Sequence, residues 1–207
     1  IPSVKEQPAP GAPFGRNINK ALEYTLSLCR RLGFETANVD GYAGYAQFPG
    51  QKEEQLGILC HLDVVPAGEG WLHPPYEGVY ENGVIYGRGA VDDKGPAISA
   101  IYALAALKRA GAAFRRTPRI IFGCDEESGW ECMDYYASKI GMPEMGFSPD
   151  ADYPIINTEK GIYHAQLKKK ISRGENYSIS IHGGTRANVV PDCAQAYICL
   201  LYTSDAA

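Results

Sequence analysis

The chain has 207 residues, 45% hydrophobic and 21% charged, with 20 basic and 24 acidic side chains for a net charge of −4. That balance excludes low-complexity disorder and argues against nucleic acid as a partner, since proteins that grip phosphates carry the opposite sign. No apolar run approaches ~18 residues and the amino-terminal stretch lacks the apolar block of a secretory signal, so neither a membrane span nor export is expected.

In chain order, Pro2, Pro8, Pro10 and Pro13 predict an extended stretch over residues 1–18. Leu22, Leu26, Cys29 and Leu32 recur at helical spacing and predict a helix over Asn19–Leu32, stopped by Gly33. Short strands are expected at Phe34–Val39 and Tyr45–Phe48. Leu56–His61 and Arg119–Cys124 are apolar without alternation, as strands buried on both faces should be. Between them come a strand at Val84–Tyr86 and a helix over Pro96–Ala110. The basic stretch Lys108, Arg109, Arg115, Arg116 and Arg119 reads as a solvated face. A helix is expected over Glu131–Lys139 and strands at Gly146–Ser148 and Tyr153–Asn157.

Strands alternating with helices predict an α/β fold over residues 1–160, a mostly parallel sheet with flanking helices. After Gly161 the texture changes. Ile162–Ile171, Tyr177–His182 and Ala194–Leu201 alternate apolar and polar residues, which predicts strands with one wet face and the start of an α+β unit over 161–200. The six cysteines form no C-x-x-C pair and sit in apolar segments, which points to buried reduced thiols in a cytoplasmic protein.

Acidic residues fall at the ends of the expected strands. One strand ends in His61-Leu-Asp63, a second in Asp125-Glu126-Glu127, a third in Ser148-Pro-Asp150, and Asp92-Asp93 precedes the strongest helix. In an open α/β sheet, ligands bind in the crevice outside the carboxyl ends of the strands. Carboxylates gathered there repel one another unless a cation balances them. One or two divalent metals fit that need, and imidazole with carboxylate suits Zn, Mn or Co better than Ca. In the Glu126-Glu127 pair, one carboxylate can ligate while the other stays free as a base. Each feature also has a plain structural reading: a strand-end histidine, an acidic helix start, a solvated loop. Their recurrence at successive strand ends favours the metal site.

At these residues the sequence resembles a family. His61-Leu-Asp-Val-Val-Pro66, Tyr86-Gly-Arg-Gly-Ala-Val-Asp-Asp-Lys-Gly-Pro96, Asp125-Glu-Glu-Ser-Gly-Trp-Glu-Cys-Met133 and Ser148-Pro-Asp-Ala-Asp152 are similar to the PepV/Sapep-type dipeptidases of the two-metal aminoacylase and carboxypeptidase superfamily. The resemblance implies a zinc-peptidase-like catalytic domain with an inserted lid, two divalent ions (Zn or Mn, with Co an option) and a dipeptide substrate. It also implies metal ligation by His61, Asp92, Glu127 and Asp150, with Asp92 bridging and followed by a cis peptide. Asp63 would hold the second ring nitrogen of His61, and Glu126 would be the general base. Asn188 and Arg186, in Gly184-Thr-Arg-Ala-Asn-Val-Val-Pro191, would reach substrate from the lid. Homodimerisation through the lid is a further implication.

The resemblance also implies a substantially longer protein, with a late histidine completing the second metal site that no residue here matches. The chain is therefore expected to be an inactive fragment, poorly soluble or partly unfolded alone, with 201–207 a non-native tail. Two other readings stay open: an N-acyl-amino-acid deacylase or desuccinylase of the same superfamily, and a non-catalytic domain that kept the fold.

Overall fold

The computed structural model describes residues 1–152, 154–158, 161, 163, 165–168, 177–184, 190–191 and 193–200. The chain divides into two compact units, Ile1–Ile156 and Asn157–Ala207. In the first, helix α1 (Arg16–Arg31) leads into strands β1 (Glu35–Val39), β2 (Ala43–Gln47) and β3 (Lys52–His61). A small hairpin follows, β4 (Val79–Glu81) with β5 (Val84–Tyr86). Helix α2 (Lys94–Arg109), strand β6 (Arg116–Gly123), helix α3 (Glu131–Ile140) and strand β7 (Met145–Phe147) complete the unit.

The main sheet has the order β1-β2-β6-β3-β7. Strands β6, β3 and β7 run parallel, as the apolar runs lead one to expect, while β1 and β2 add an antiparallel edge. Residues Arg116–Gly123 of β6 are almost entirely buried, the mark of a strand covered on both faces. Successive residues of β2 show the two covers. A side chain at Gly44 would meet Leu22 of α1 at 2.8 Å, so glycine there lets that helix lie close. The next residue, Tyr45, meets Tyr136 of α3 edge to face. Alternate residues of a strand point to opposite faces, so α1 and α3 sandwich the sheet. Helix α2 lies beside α1, where Ala97 and Ile98 share a narrow cleft with Ala21 and Thr25.

The core is continuous through both layers. Ile18, Leu22, Leu26, Ala46, Ile58, Ile101, Leu104, Ile120, Phe122 and Tyr136 all belong to it, and burial of this apolar surface is the main force holding the unit together.

Several expectations move. Helix α1 starts at Arg16, three residues before the expected Asn19, because Pro13 lies outside its first turn. Helix α2 starts at Lys94, placing Pro96 within the first turn, where a missing N–H costs nothing. Arg119 is not on a solvated face. It is 7% exposed, with Nε donating to Gln47 Oε1 (2.8 Å), Nη1 donating to Tyr136 Oη (3.2 Å), and its guanidinium over the Tyr45 ring. Residues 154–157 form no strand. In the second unit, Tyr177–Gly183 (β8) pairs antiparallel with Ala194–Leu200 (β9), close to the expected bounds. Of the strand expected at 162–171, the described residues 163 and 165–168 are not in regular structure, and the others lie outside the described residues.

Candidate metal centre

The topology brings the acidic strand ends together. Strands β3 and β6 are parallel neighbours with His61 opposite Gly123, so His61-Leu-Asp63 and Asp125-Glu126-Glu127 leave the sheet side by side. Strand β7 flanks β3 on its other side. From there, Ser148 Oγ donates to Leu59 O (2.9 Å) and accepts from Asp150 N (3.3 Å), tying Asp150 to β3. The loop before α2 carries Asp92 and Asp93, joined by a cis peptide.

His61 is at the centre and 1% exposed. Its Nε2 lies 2.8 Å from Asp92 Oδ1 and 3.3 Å from Asp150 Oδ2. Its Nδ1 lies 2.9 Å from the Asp63 backbone carbonyl and 3.4 Å from Asp63 Oδ1. The second ring nitrogen thus faces both the main chain of Asp63 and, at longer range, its carboxylate. That carboxylate also serves the neighbouring turn, with Oδ1 accepting from Glu126 N and Oδ2 from Glu127 N, each at 3.1 Å. It therefore fixes the short 3-10 turn Glu126–Ser128 that carries both glutamates. Among the described residues, ligand atoms of His61, Asp93 and Asp150, and of His61, Glu126 and Glu127, cluster closely enough to hold a metal ion. Asp92 approaches the same imidazole without completing either cluster.

Asp93 is the residue that sequence reasoning left without a role. It is fully buried, with Oδ2 accepting from His61 N (3.0 Å) and Oδ1 lacking a partner. Its adjacency to Asp92 was the available signal, but nothing in the pair says which carboxylate turns inward. Arg186 and Asn188 lie outside the described residues.

Crowding sets the electrostatics. Burial pushes the Glu126 carboxyl up to about 7, and the neighbouring Glu127, Asp63 and Asp150 add to the rise while His61 opposes it. Asp93 also rises to about 7, chiefly by burial. Burial raises Glu127 and Asp150 too, helped in both by Asp92. Burial works against charge on His61, but the hydrogen bond and charge of Asp63, with Asp150 and Glu126, hold its pKa at about 10. His61 and the carboxyls of Asp93, Glu126, Glu127 and Asp150 thus hold protons more tightly than usual, protons that a cation would displace. A separate apolar cavity of about 1120 Å³ is lined by Leu56, Ile58, Ile98, Leu104 and Phe147, together with Val91, Lys94 and Pro149 from the chain beside Asp92, Asp93 and Asp150. None of the carboxylates just described lines it.

Comparison with known proteins gives the family. The model for peptidase family M20/M25/M40 matches residues 57–198. A Bacillus subtilis protein named "Putative dipeptidase YtjP" is 45% identical over 193 residues, covering 91% of this chain and 42% of that protein. A Staphylococcus aureus protein, "Putative dipeptidase SAB1611c", is 42% identical over 192 residues, covering 90% and 41%. The chain thus spans less than half the length of these relatives. Among solved structures, human carnosine dipeptidase 1 superposes with TM-score 0.63 at 25% identity, covering 74% of this chain and 36% of that one. The Sulfolobus solfataricus metallo-carboxypeptidase Sso-CP2 superposes with TM-score 0.59 at 21% identity, covering 71% and 34%, and shares the fold.

Proposed function

Because the chain belongs to peptidase family M20/M25/M40, we propose that Ile1–Ile156 supplies most of a two-metal centre that hydrolyses the amide bond of dipeptides. The observation that carries the reading is His61: a buried imidazole whose Nε2 faces Asp92 and Asp150, with Glu126 and Glu127 on the same ring. The donor set of neutral imidazole and carboxylates suits Zn or Mn, with Co a further option. The orphaned Asp93 Oδ1 beside it marks a place where positive charge is wanted.

In this reading His61, Asp92, Glu127 and Asp150 hold the metals, and a bound metal supplies Lewis acidity and a lowered water pKa. The chain's own residues do the rest. Glu126 takes a proton from the attacking water and passes it to the leaving amine. Its carboxyl, raised to about 7, is matched to both transfers near neutral pH. Asp63 keeps that carboxyl in place through the backbone of the turn, and fixes the imidazole through its own carbonyl. Asn188 and Arg186 are proposed to contact substrate. The described part of the second unit carries Ile179, Ile181, Tyr197 and Ile198 exposed on β8 and β9, which supports dimerisation through that unit. Cys29, Cys60, Cys124 and Cys132 are buried free thiols, in keeping with a cytoplasmic location.

The test is a Glu126→Gln variant of the complete enzyme, assayed on unblocked dipeptides and on N-acetyl amino acids after chelation and reloading with Mn or Zn. Metal content is expected to stay at the parent value while kcat on dipeptides falls about 10²–10⁴-fold, with N-acetyl amino acids left uncleaved throughout. Near-parental turnover would remove Glu126 as the base. Cleavage of N-acetyl amino acids alone would move the substrate class to deacylation.

A further inference from the structure

The family match begins at residue 57, yet the amino-terminal stretch reaches the crevice. Ser3 is fully buried, its Oγ donating to Leu62 O (2.6 Å) and its carbonyl accepting from Val64 N (3.0 Å). These two bonds bracket Asp63. Two residues on, Lys5 Nζ donates to Asp125 Oδ1 (2.7 Å). Asp125 is 1% exposed and stands directly before Glu126; its carboxylate also accepts from Ser128 Oγ and from Glu131 N (3.2 Å). Lys5 is itself braced, its Nζ 5.2 Å from the Phe14 ring centroid, while Glu6 N donates to Phe14 O (3.0 Å).

We propose that Ser3–Phe14 is a strap that positions the glutamate-bearing turn, with Lys5 as the positioning residue acting on Glu126 through Asp125. This inference rests on the hydrolase reading of Glu126. The turn is gripped twice: Asp63 accepts the amides of Glu126 and Glu127, and Asp125 closes the loop onto Ser128 and the start of α3. Ser3 holds the first grip and Lys5 neutralises the second. Among the described residues, Lys5 is the cation paired with Asp125. Removing it leaves a buried carboxylate without its countercharge, and the turn must shift to bring water to that group. Misplacing a catalytic group by about 1 Å costs on the order of 10²-fold in rate.

The experiment compares Lys5→Met and Lys5→Arg by hydrogen exchange and by steady-state kinetics on the metal-loaded enzyme. In Lys5→Met, amides of residues 124–131 are expected to exchange about tenfold faster while strands β3 and β6 keep their protection. On dipeptides, kcat is expected to fall about tenfold to hundredfold with KM and metal content unchanged. Lys5→Arg, which keeps the charge, restores both. Unaltered exchange at 124–131, a uniform loss of protection across the sheet, or failure of the arginine variant to rescue would each overturn the strap. If the parent enzyme hydrolyses no dipeptide, the hydrolase reading falls, and the exchange comparison still decides whether Lys5 orders the turn.

Discussion

Asp63 shows how one side chain serves several others. Its carboxylate accepts two backbone amides of the glutamate turn while its carbonyl faces the imidazole. In Asp63→Asn, the amide NH₂ would confront one of those two N–H donors, leaving a buried donor unsatisfied. The expected result is a loss of about 1–3 kcal/mol in urea-induced unfolding, with metal affinity reduced about 10–100-fold by calorimetric titration. The placement of His61, Glu126 and Glu127 was legible because each stands at or just past the end of an apolar strand, so their position at the carboxyl edge could be read locally. The placement of Asp93 and Lys5 was not. Asp93 depends on which way one of two adjacent carboxylates turns, and Lys5 meets a partner 120 residues away.

Among the elements, β7 is short but holds Asp150. It passes so close to β3 that a side chain at Gly146 would lie 2.7 Å from the Gly57 carbonyl oxygen. The Gly146→Ala change must push β7 outward, carrying Ser148 and Asp150 with it. It is expected to cost about 1–3 kcal/mol by denaturant titration and to weaken metal binding by calorimetric titration. The parallel core was readable from its unbroken apolar runs. The hairpin strand β4 (Val79–Glu81) was not, since Val-Tyr-Glu has too little pattern to stand out. The burial of Arg119 escaped for a related reason. A guanidinium satisfied by a glutamine, a tyrosine and a ring face has the same local sequence as one in water.

At the level of the whole molecule, the crevice sets how stability varies with pH and metal. Groups whose pKa rises on folding bind protons more tightly in the folded chain, so folding is favoured at low pH and weakened as pH rises. Glu126 and Asp93, raised to about 7, contribute this loss between roughly pH 4 and 7; His61, raised to about 10, extends it above pH 6.5. Chelator-treated chain is therefore expected to melt at progressively lower temperature from pH 5 to 8. Saturating Mn or Zn replaces those protons and should flatten the trend. At a concentration of 100 Kd the gain is about 2.7 kcal/mol, or about 5–10 °C for a chain of this size. Calorimetry across that pH range, with and without metal, checks both; a pH-independent melting temperature in the chelated sample would contradict the crowding.

The strap adds a kinetic side to the same molecule. Its two side-chain anchors close loops of 59 and 120 residues, and such long closures carry an entropic cost before they return any stability. They should form after the sheet during folding and come apart before it during opening. Substitutions at Ser3 or Lys5 would then accelerate unfolding and leave the folding rate nearly untouched. Within Ile1–Ile156, a protease meeting the native chain would find a foothold in the proline-rich stretch between Glu6 and Phe14 before the sheet that carries the crevice gives way.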